Sequence, residues 1–123
     1  MVLMESCQGS TAEARHATAD FLSLVGTWVD ADAVVLVVSE LVTNAARHTA
    51  GWWRLRVRVS RAHLVVDVDD ASPVTPQTRR GDLFGGGGLG LPMVERLAGS
   101  FEVVPRSGGK TVRARWALPA VMA

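Results

Sequence analysis

The chain has 123 residues, of which 48% are hydrophobic and 20% are charged, and its formal net charge is +1. This length predicts one domain with one core, and this hydrophobic content excludes a disordered chain. A net charge so close to zero gives no general attraction to nucleic acid or to an anionic membrane. The single cysteine, Cys7, excludes an intramolecular disulfide, and no apolar run reaches the roughly 18 residues of a membrane-spanning helix. We therefore expect a cytoplasmic protein.

The chain begins with a segment that shows no pattern, at residues 1–9. We expect this segment to be a flexible leader, followed by a single domain at residues 10–119. Ser10 and Glu13 have the spacing of a capping box, which predicts the start of a helix that ends near Val25.

The second predicted helix contains the sequence VVLVVSELVTNAARHT at residues 34–49. Its apolar positions recur at helical spacing: Val34, Val38, Leu41 and Ala45. At about 100° per residue, Glu40, Asn44 and His48 follow one edge of that apolar arc. A carboxylate, a carboxamide and an imidazole at the border of a core are typical of a functional site. The alternative is that Glu40 only forms charge pairs within its own helix and that Asn44 is simply exposed.

Two strands are predicted next, at residues 52–60 and 64–70, joined by a hairpin. The solvent-facing side of the first strand is predicted to carry three alternating arginines, Arg54, Arg56 and Arg58. In the second strand, Asp70 shares a face with Val66 and Val68 because side chains alternate with a period of two. If the two valines face the core, so does the carboxylate, and a buried carboxylate requires a partner.

The rest of the chain begins with an irregular segment at residues 71–88, which is typical of a functional loop or lid. The remaining predicted elements are a helix at residues 91–98, strands at 101–104 and 110–118, and a tail at 120–123. This order of elements predicts an α/β two-layer sandwich. It combines a mostly antiparallel sheet of about four strands with three helices on one face.

The glycine-rich run before the third helix allows several interpretations. Gly85, Gly87 and Gly90 formally fit a dinucleotide-binding pattern, but a charged loop precedes them where that pattern requires a strand. A Walker A site is excluded because Val104 stands where its first glycine belongs. The run is then either a flexible linker or a lid whose backbone N–H groups bind a triphosphate at the start of the following helix.

Three stretches together resemble the GHKL ATPases, which include histidine kinases and gyrase-type ATPases. They are SELVTNAARHT at residues 39–49, DASP at 70–73 and GGGLGL at 86–91. Within that family they are most similar to the anti-sigma-factor serine kinases and the small ATP-binding regulators of actinomycetes. The resemblance covers nearly the whole chain and implies the Bergerat fold. The sequence departs from the family pattern in a short lid and in Ser72 and Val74, which replace glycines of the first glycine box.

The resemblance also implies a role for each matching position, with ATP and Mg²⁺ as cofactors. Glu40 corresponds to the general base or water-orienting acid, and Asn44 corresponds to the magnesium ligand. Asp70 corresponds to the acceptor of the adenine amino hydrogen, and Thr111 to a bridge to adenine or to Asp70. His48 either approaches phosphate or only interacts with the end of its helix. The expected backbone contacts with nucleotide come from Gly86, Gly88, Leu89 and Gly90.

The function implied by the resemblance is a Mg-ATP-dependent serine/threonine kinase that phosphorylates a small anti-sigma-antagonist protein. A homodimer is also expected, whereas direct contacts with nucleic acid or a membrane are not. One alternative is a binding module that sequesters a sigma factor or another regulator, with nucleotide as a structural ligand or without nucleotide. A second alternative is a detached histidine-kinase catalytic domain that serves a separate phosphoacceptor protein.

Overall fold

A computed structural model describes residues 1–25, 29–48, 52–60, 62–72 and 90–118, with only the backbone described for His48 and residues 90–93. The elements in these ranges are β1 Val2–Glu5, α1 Thr11–Val25, α2 Ala31–His48, β2 Trp53–Val59, β3 His63–Asp70, α3 Gly90–Leu97, β4 Ser100–Arg106 and β5 Gly109–Ala117. The strands form one sheet in the order β1-β2-β3-β5-β4, with every neighbouring pair antiparallel. The helices pack on this sheet, so the predicted two-layer fold is confirmed. None of the helices in the described ranges combines the length and apolar character of a membrane span.

The segment that was predicted to be a flexible leader contains the edge strand β1. It pairs with β2, with Val2 opposite Val57 at the start of the strand. Val2 is buried and Met4 packs against the core, whereas Leu3 is 57% exposed. The prediction of about four strands is therefore wrong by one. A strand of four residues depends on hydrogen bonds from its neighbour and on burial in the tertiary structure, and neither is encoded in a local pattern.

Both long helices begin with hydrogen bonds from backbone N–H groups to side chains, and those of α1 form the predicted capping box. The backbone N–H of Ser10 donates to Glu13 Oε1 at 2.9 Å, and the N–H of Glu13 donates to Ser10 Oγ at 3.2 Å. At the start of α2, Asp30 Oδ1 accepts from the N–H groups of Asp32 and Ala33 at 3.0 and 3.2 Å. These side chains satisfy N–H groups that have no partner within the helix, and so fix where each helix begins.

The core lies between the helices and one face of the sheet. The second helix contacts α1, α3, β2 and β3 and buries its predicted apolar arc, Val34, Val38, Leu41 and Ala45, together with Val37 and Val42. The sheet contributes Leu55, Val57, Val66, Val68 and Val112 to the same cluster. The ring N–H of Trp116 donates to the carbonyl oxygen of Leu97 at 2.9 Å and ties β5 to the end of α3.

The opposite face of the sheet carries a set of arginines that we call the arginine face: Arg54, Arg56, Arg58, Arg106, Arg113 and Arg115. Buried aspartates lie between them because the strand register places Asp67 between Arg56 and Arg113. Asp67 has no exposed side-chain surface and accepts a 2.7 Å hydrogen bond from Arg113 Nε. This hydrogen bond raises the pKa of the Arg113 guanidinium above its ordinary value. The alternating arginines of β2 therefore lie on the non-core face, as predicted, and are paired with acids.

Candidate nucleotide site

Glu40 and Asn44 lie one helical turn apart on α2, beside the buried arc of that helix. Each is partly buried, and the neighbouring Leu41 and Ala45 are almost fully buried. Neither polar side chain forms a hydrogen bond or an ion pair with any other residue that the structure describes. A half-buried carboxylate and a half-buried carboxamide with no partner in the described part of the chain are groups available to a ligand, a metal ion or water.

Asp70, at the end of β3, points into the core-side layer and is only 5% exposed. Its Oδ1 atom accepts a hydrogen bond from the backbone N–H of Ser72 and another from Lys110 Nζ, both at 2.9 Å. The Lys110 ammonium also donates to the carbonyl oxygen of Ser72 at 3.3 Å. The partner that the sequence requires for this carboxylate is therefore a lysine on the neighbouring strand. The same lysine holds the start of the segment that follows β3.

The side chain of Thr111 bonds to Asp69 and not to Asp70 among the described residues. The register of β3 and β5 places Thr111 opposite Asp69, and its hydroxyl donates to Asp69 Oδ1 at 2.6 Å. Both side chains lie on the arginine face, and the bridge from Thr111 to adenine or to Asp70 that the resemblance implies stays a prediction. Burial alone would raise the pKa of Asp69. The hydrogen bonds from Thr111 and Arg54 and the charge of Arg56 outweigh burial and hold this pKa below its ordinary value.

Lys110 is the residue that the sequence analysis missed. It is 6% exposed. Lysines are almost never buried to this extent unless an acidic group pairs with them, as Asp70 does here. A signal for it was present, because Val112, Ala114 and Trp116 alternate along the last strand as its apolar side. A period of two from these residues places Lys110 on the core face and Thr111 on the other face.

The family model described as the histidine kinase-like ATPase domain matches residues 4–116. The chain belongs to this family. It is an ATP-binding domain of the GHKL type, and GHKL domains bind ATP, generally with Mg²⁺. The predicted family is therefore confirmed, at the level of the ATPase domain and not of the anti-sigma-factor subtype. The comparison with curated proteins finds no match.

Solved structures with the same fold include two histidine kinases. The histidine kinase domain of the E. coli osmosensor EnvZ is 23% identical, with a TM-score of 0.56 over 79% of this chain and 71% of that chain. The nucleotide-free catalytic domain of the histidine kinase ThkA is 16% identical, with a TM-score of 0.58 over 98% of this chain and 97% of that chain. A second crystal form of ThkA, also 16% identical, gives a TM-score of 0.59 over 96% and 99% of the two chains. These likenesses support the architecture of the ATPase domain.

The residues of this ATPase domain fit a magnesium ion that is bound mainly through nucleotide. Among the described residues, no group of three or more histidine, cysteine, aspartate or glutamate side chains could hold a metal ion. Magnesium commonly keeps several waters and binds one or two protein oxygens together with phosphates. The unpartnered carboxamide of Asn44 can supply one such oxygen. Glu40, one turn earlier, can accept a proton from a hydroxyl or a water nearby.

The first three residues of the first glycine box, residues 70–72, are held in place by hydrogen bonds with Lys110 and within the box. Ser72 is 7% exposed, and its N–H and carbonyl groups bond to Asp70 and Lys110 respectively. The backbone approaches most closely at Gly109, where a Cβ atom would collide with the carbonyl oxygen of Asp70. A glycine at the start of β5 therefore lets the two strands meet at the carboxylate.

The other predicted site residues lie partly or wholly outside the described structure. Gly86, Gly88 and Leu89 fall outside the described residues. Gly90 is the first residue of α3, and His48 is the last residue of α2, each with its backbone described. For this part of the site, the roles predicted from the resemblance stay predictions.

Proposed function

We propose that this ATPase domain is a cytoplasmic, Mg-ATP-dependent serine/threonine kinase that phosphorylates a small anti-sigma-antagonist protein. The observation that carries the proposal is the pair Glu40 and Asn44, two half-buried oxygen-bearing side chains one turn apart with no partner among the described residues. Asn44 would hold the magnesium ion, which would supply positive charge to the phosphates of the nucleotide, and Glu40 would accept the proton of the acceptor hydroxyl. Positioning and charge neutralisation account for most of the catalysis of phosphoryl transfer.

Adenine recognition in this proposal uses the second oxygen of Asp70. Its Oδ1 atom is occupied by Ser72 and Lys110, whereas its Oδ2 atom forms no hydrogen bond with the described residues. An acceptor fixed in this way is preorganised for the adenine amino group, since little side-chain freedom is lost when the base binds. Lys110 is thus a positioning residue for the nucleotide.

A pair of variants at Glu40 and Asn44 tests the proposal. Transfer of radiolabelled phosphate from ATP to a candidate antagonist protein is measured together with calorimetric titration of ATP, with and without Mg²⁺. We expect Glu40→Ala to reduce transfer at least 100-fold while ATP binding stays within a few-fold, because a general base contributes about 10²- to 10⁴-fold. Asn44→Ala should remove the magnesium dependence of binding.

Asp20→Ala is the matched control, because Asp20 is an exposed acid on α1 and should leave both measurements unchanged. Unaltered transfer in Glu40→Ala would remove Glu40 from the mechanism. A folded wild-type protein that binds no ATP up to millimolar concentration would overturn the proposed function.

A second candidate is a detached catalytic domain that phosphorylates a histidine on a separate protein. It is supported by the ThkA comparison, in which the matched structure is itself the catalytic domain of a histidine kinase and 97% of it is covered. The product distinguishes the two candidates, because phosphohistidine is lost in acid and a phosphoserine or phosphothreonine ester is not. Acid-labile label on the acceptor would therefore favour this candidate over the serine/threonine kinase.

A further inference from the structure

The arginine face contains a cavity of about 550 Å³ where β3 ends and β5 begins. Its lining carries four cationic side chains, Arg54, Arg56, Arg106 and Lys110, against the two carboxylates of Asp69 and Asp70. Among the described residues of this lining, two positive charges are therefore in excess, although the net charge of the whole chain is only +1. Lys110 and Asp70 neutralise each other through their 2.9 Å ion pair, so the excess belongs to the arginines.

Two of these arginines are anchored to one buried hydrogen-bonded pair. Arg54 Nε donates to Asp69 Oδ2 at 3.0 Å, and Arg106 Nε donates to Thr111 Oγ1 at 3.1 Å. The Thr111 hydroxyl in turn donates to Asp69 Oδ1 at 2.6 Å, so both guanidinium groups are held by the same pair. Because these guanidinium groups are already held in the free protein, a ligand that binds them costs less side-chain conformational entropy.

Anchoring through Nε leaves the terminal nitrogens of both guanidinium groups without a partner in the described part of the chain. The Nη atoms of Arg54 and Arg106 form no hydrogen bond with any residue that the structure describes. Arg106 also forms no ion pair with a carboxylate in the described ranges. A guanidinium held in this way presents planar N–H donors that match the oxygens of a phosphate group.

We propose that this cavity binds a phosphate dianion, supplied as inorganic phosphate or as a phosphate monoester. The charge of the ligand matches the excess of two positive charges, and its oxygens can accept from Arg54 on one side and Arg106 on the other. The arginines of this site lie on the non-core face of the sheet, whereas Glu40 and Asn44 lie on α2. Asp70 and Lys110, which the proposed adenine contact also uses, line the cavity at its border with the core face. The proposed phosphate contacts come from the arginines, so the proposal stands without the proposed kinase function.

The test is a titration of the full chain with inorganic phosphate at constant ionic strength, followed by the backbone amide signals of residues 106–110 in two-dimensional NMR. Parallel titrations use phosphoserine and acetate. We expect saturable shifts with phosphate and at least tenfold weaker binding in Arg54→Gln and in Arg106→Gln. Tighter binding of phosphoserine would assign the site to a monoester, and tighter binding of phosphate would assign it to the free ion.

Arg58→Gln is the matched control. Arg58 also lies on the arginine face and pairs with Asp67 at 3.5 Å, but it does not line the cavity. If Arg58→Gln weakened phosphate binding as much as Arg54→Gln does, phosphate binding would depend only on surface charge, and the proposal would be overturned. Binding of acetate as tight as phosphate would overturn it too.

A further control, Asn44→Ala, should bind phosphate normally, and loss of binding there would assign the ion to the nucleotide site instead. Unchanged amide spectra outside the cavity verify that each variant is folded.

Discussion

At the scale of single residues, Lys110 and Asp70 form a buried ion pair at the end of the sheet, with 7% and 4% of their side chains exposed. Removing one member leaves the other charge buried without its partner, which typically destabilises a protein by about 3–5 kcal/mol. We expect Lys110→Met to lower the free energy of unfolding by about 3 kcal/mol, measured by urea denaturation. Adding Asp70→Asn to that variant removes the stranded charge and should recover part of the loss. Purely additive losses in the double variant would show that the two groups do not interact.

The carboxyl group of Asp69 gives a second residue-scale prediction, on pH. Its pKa in the folded chain is below the ordinary value of 3.8, so its ionised form stabilises the folded state. This contribution is complete above the unfolded-state pKa and disappears as the pH falls through the lower folded-state value. The hydrogen bond from Thr111 is a principal cause, so Thr111→Val should raise the pKa of Asp69 and flatten the acid limb of the stability curve.

Carboxyl NMR titration of Asp69 measures this change directly. The exposed acid Asp20 on α1 provides an internal control in the same spectra, because Thr111 does not contact it. An unchanged titration of Asp69 in Thr111→Val would mean that the arginines alone lower the pKa.

At the scale of elements, β1 shows how a strand can form without a strong local signal. Its residues pair with β2, and its alternate side chains face the core and the solvent. Met4 packs against the core and Leu3 is exposed, so the two positions provide a matched pair. We expect Met4→Asp to lower the free energy of unfolding by about 2 kcal/mol, since it places an unpaired polar group against the core. Leu3→Asp should change it by less than about 0.5 kcal/mol.

Chemical denaturation of both variants measures the difference. Equal and small effects at the two positions would mean that β1 does not pack on the core in solution. Equal and large effects would mean that the strand tolerates no charge on either face.

The helices and central strands were predictable because each has a local cause. Ser10 and Asp30 accept hydrogen bonds from helix N–H groups within three residues, and the apolar arc of α2 follows a single period. The orientation of the Asp70 side chain toward the core was predictable from the alternation of side chains along β3. The partner of Asp70 was harder to predict, because Lys110 is 40 residues away in sequence and the pairing of β3 with β5 brings the two together. The hydrogen bond between Thr111 and Asp69 was not predicted, because it depends on the register of β3 and β5.

At the scale of the whole molecule, the sheet separates two kinds of chemistry. The core face holds the helices, the Lys110–Asp70 pair and the polar edge of α2, and the other face holds the arginines. The family assigns ATP to the domain, and the oxygens of Glu40 and Asn44, which have no partner among the described residues, lie on its helical side. Glu40 and Asn44 therefore lie on the other side of the sheet from the arginines, and the two sides meet at Asp70 and Lys110, which also line the cavity.

This separation leads to a prediction about ligand-linked stability. A ligand that binds only the folded chain stabilises it by about 2.7 kcal/mol at 100 times its dissociation constant. We expect Mg-ATP at that excess to raise the unfolding free energy of the wild type by about this amount. Under the same conditions Asn44→Ala should lose most of this increase in unfolding free energy, because its magnesium ligand is missing. Arg54→Gln should keep it, because Arg54 lies on the opposite face of the sheet. Chemical denaturation with and without Mg-ATP measures the unfolding free energy of all three proteins. If Mg-ATP did not stabilise Arg54→Gln, the two faces of the sheet would be coupled.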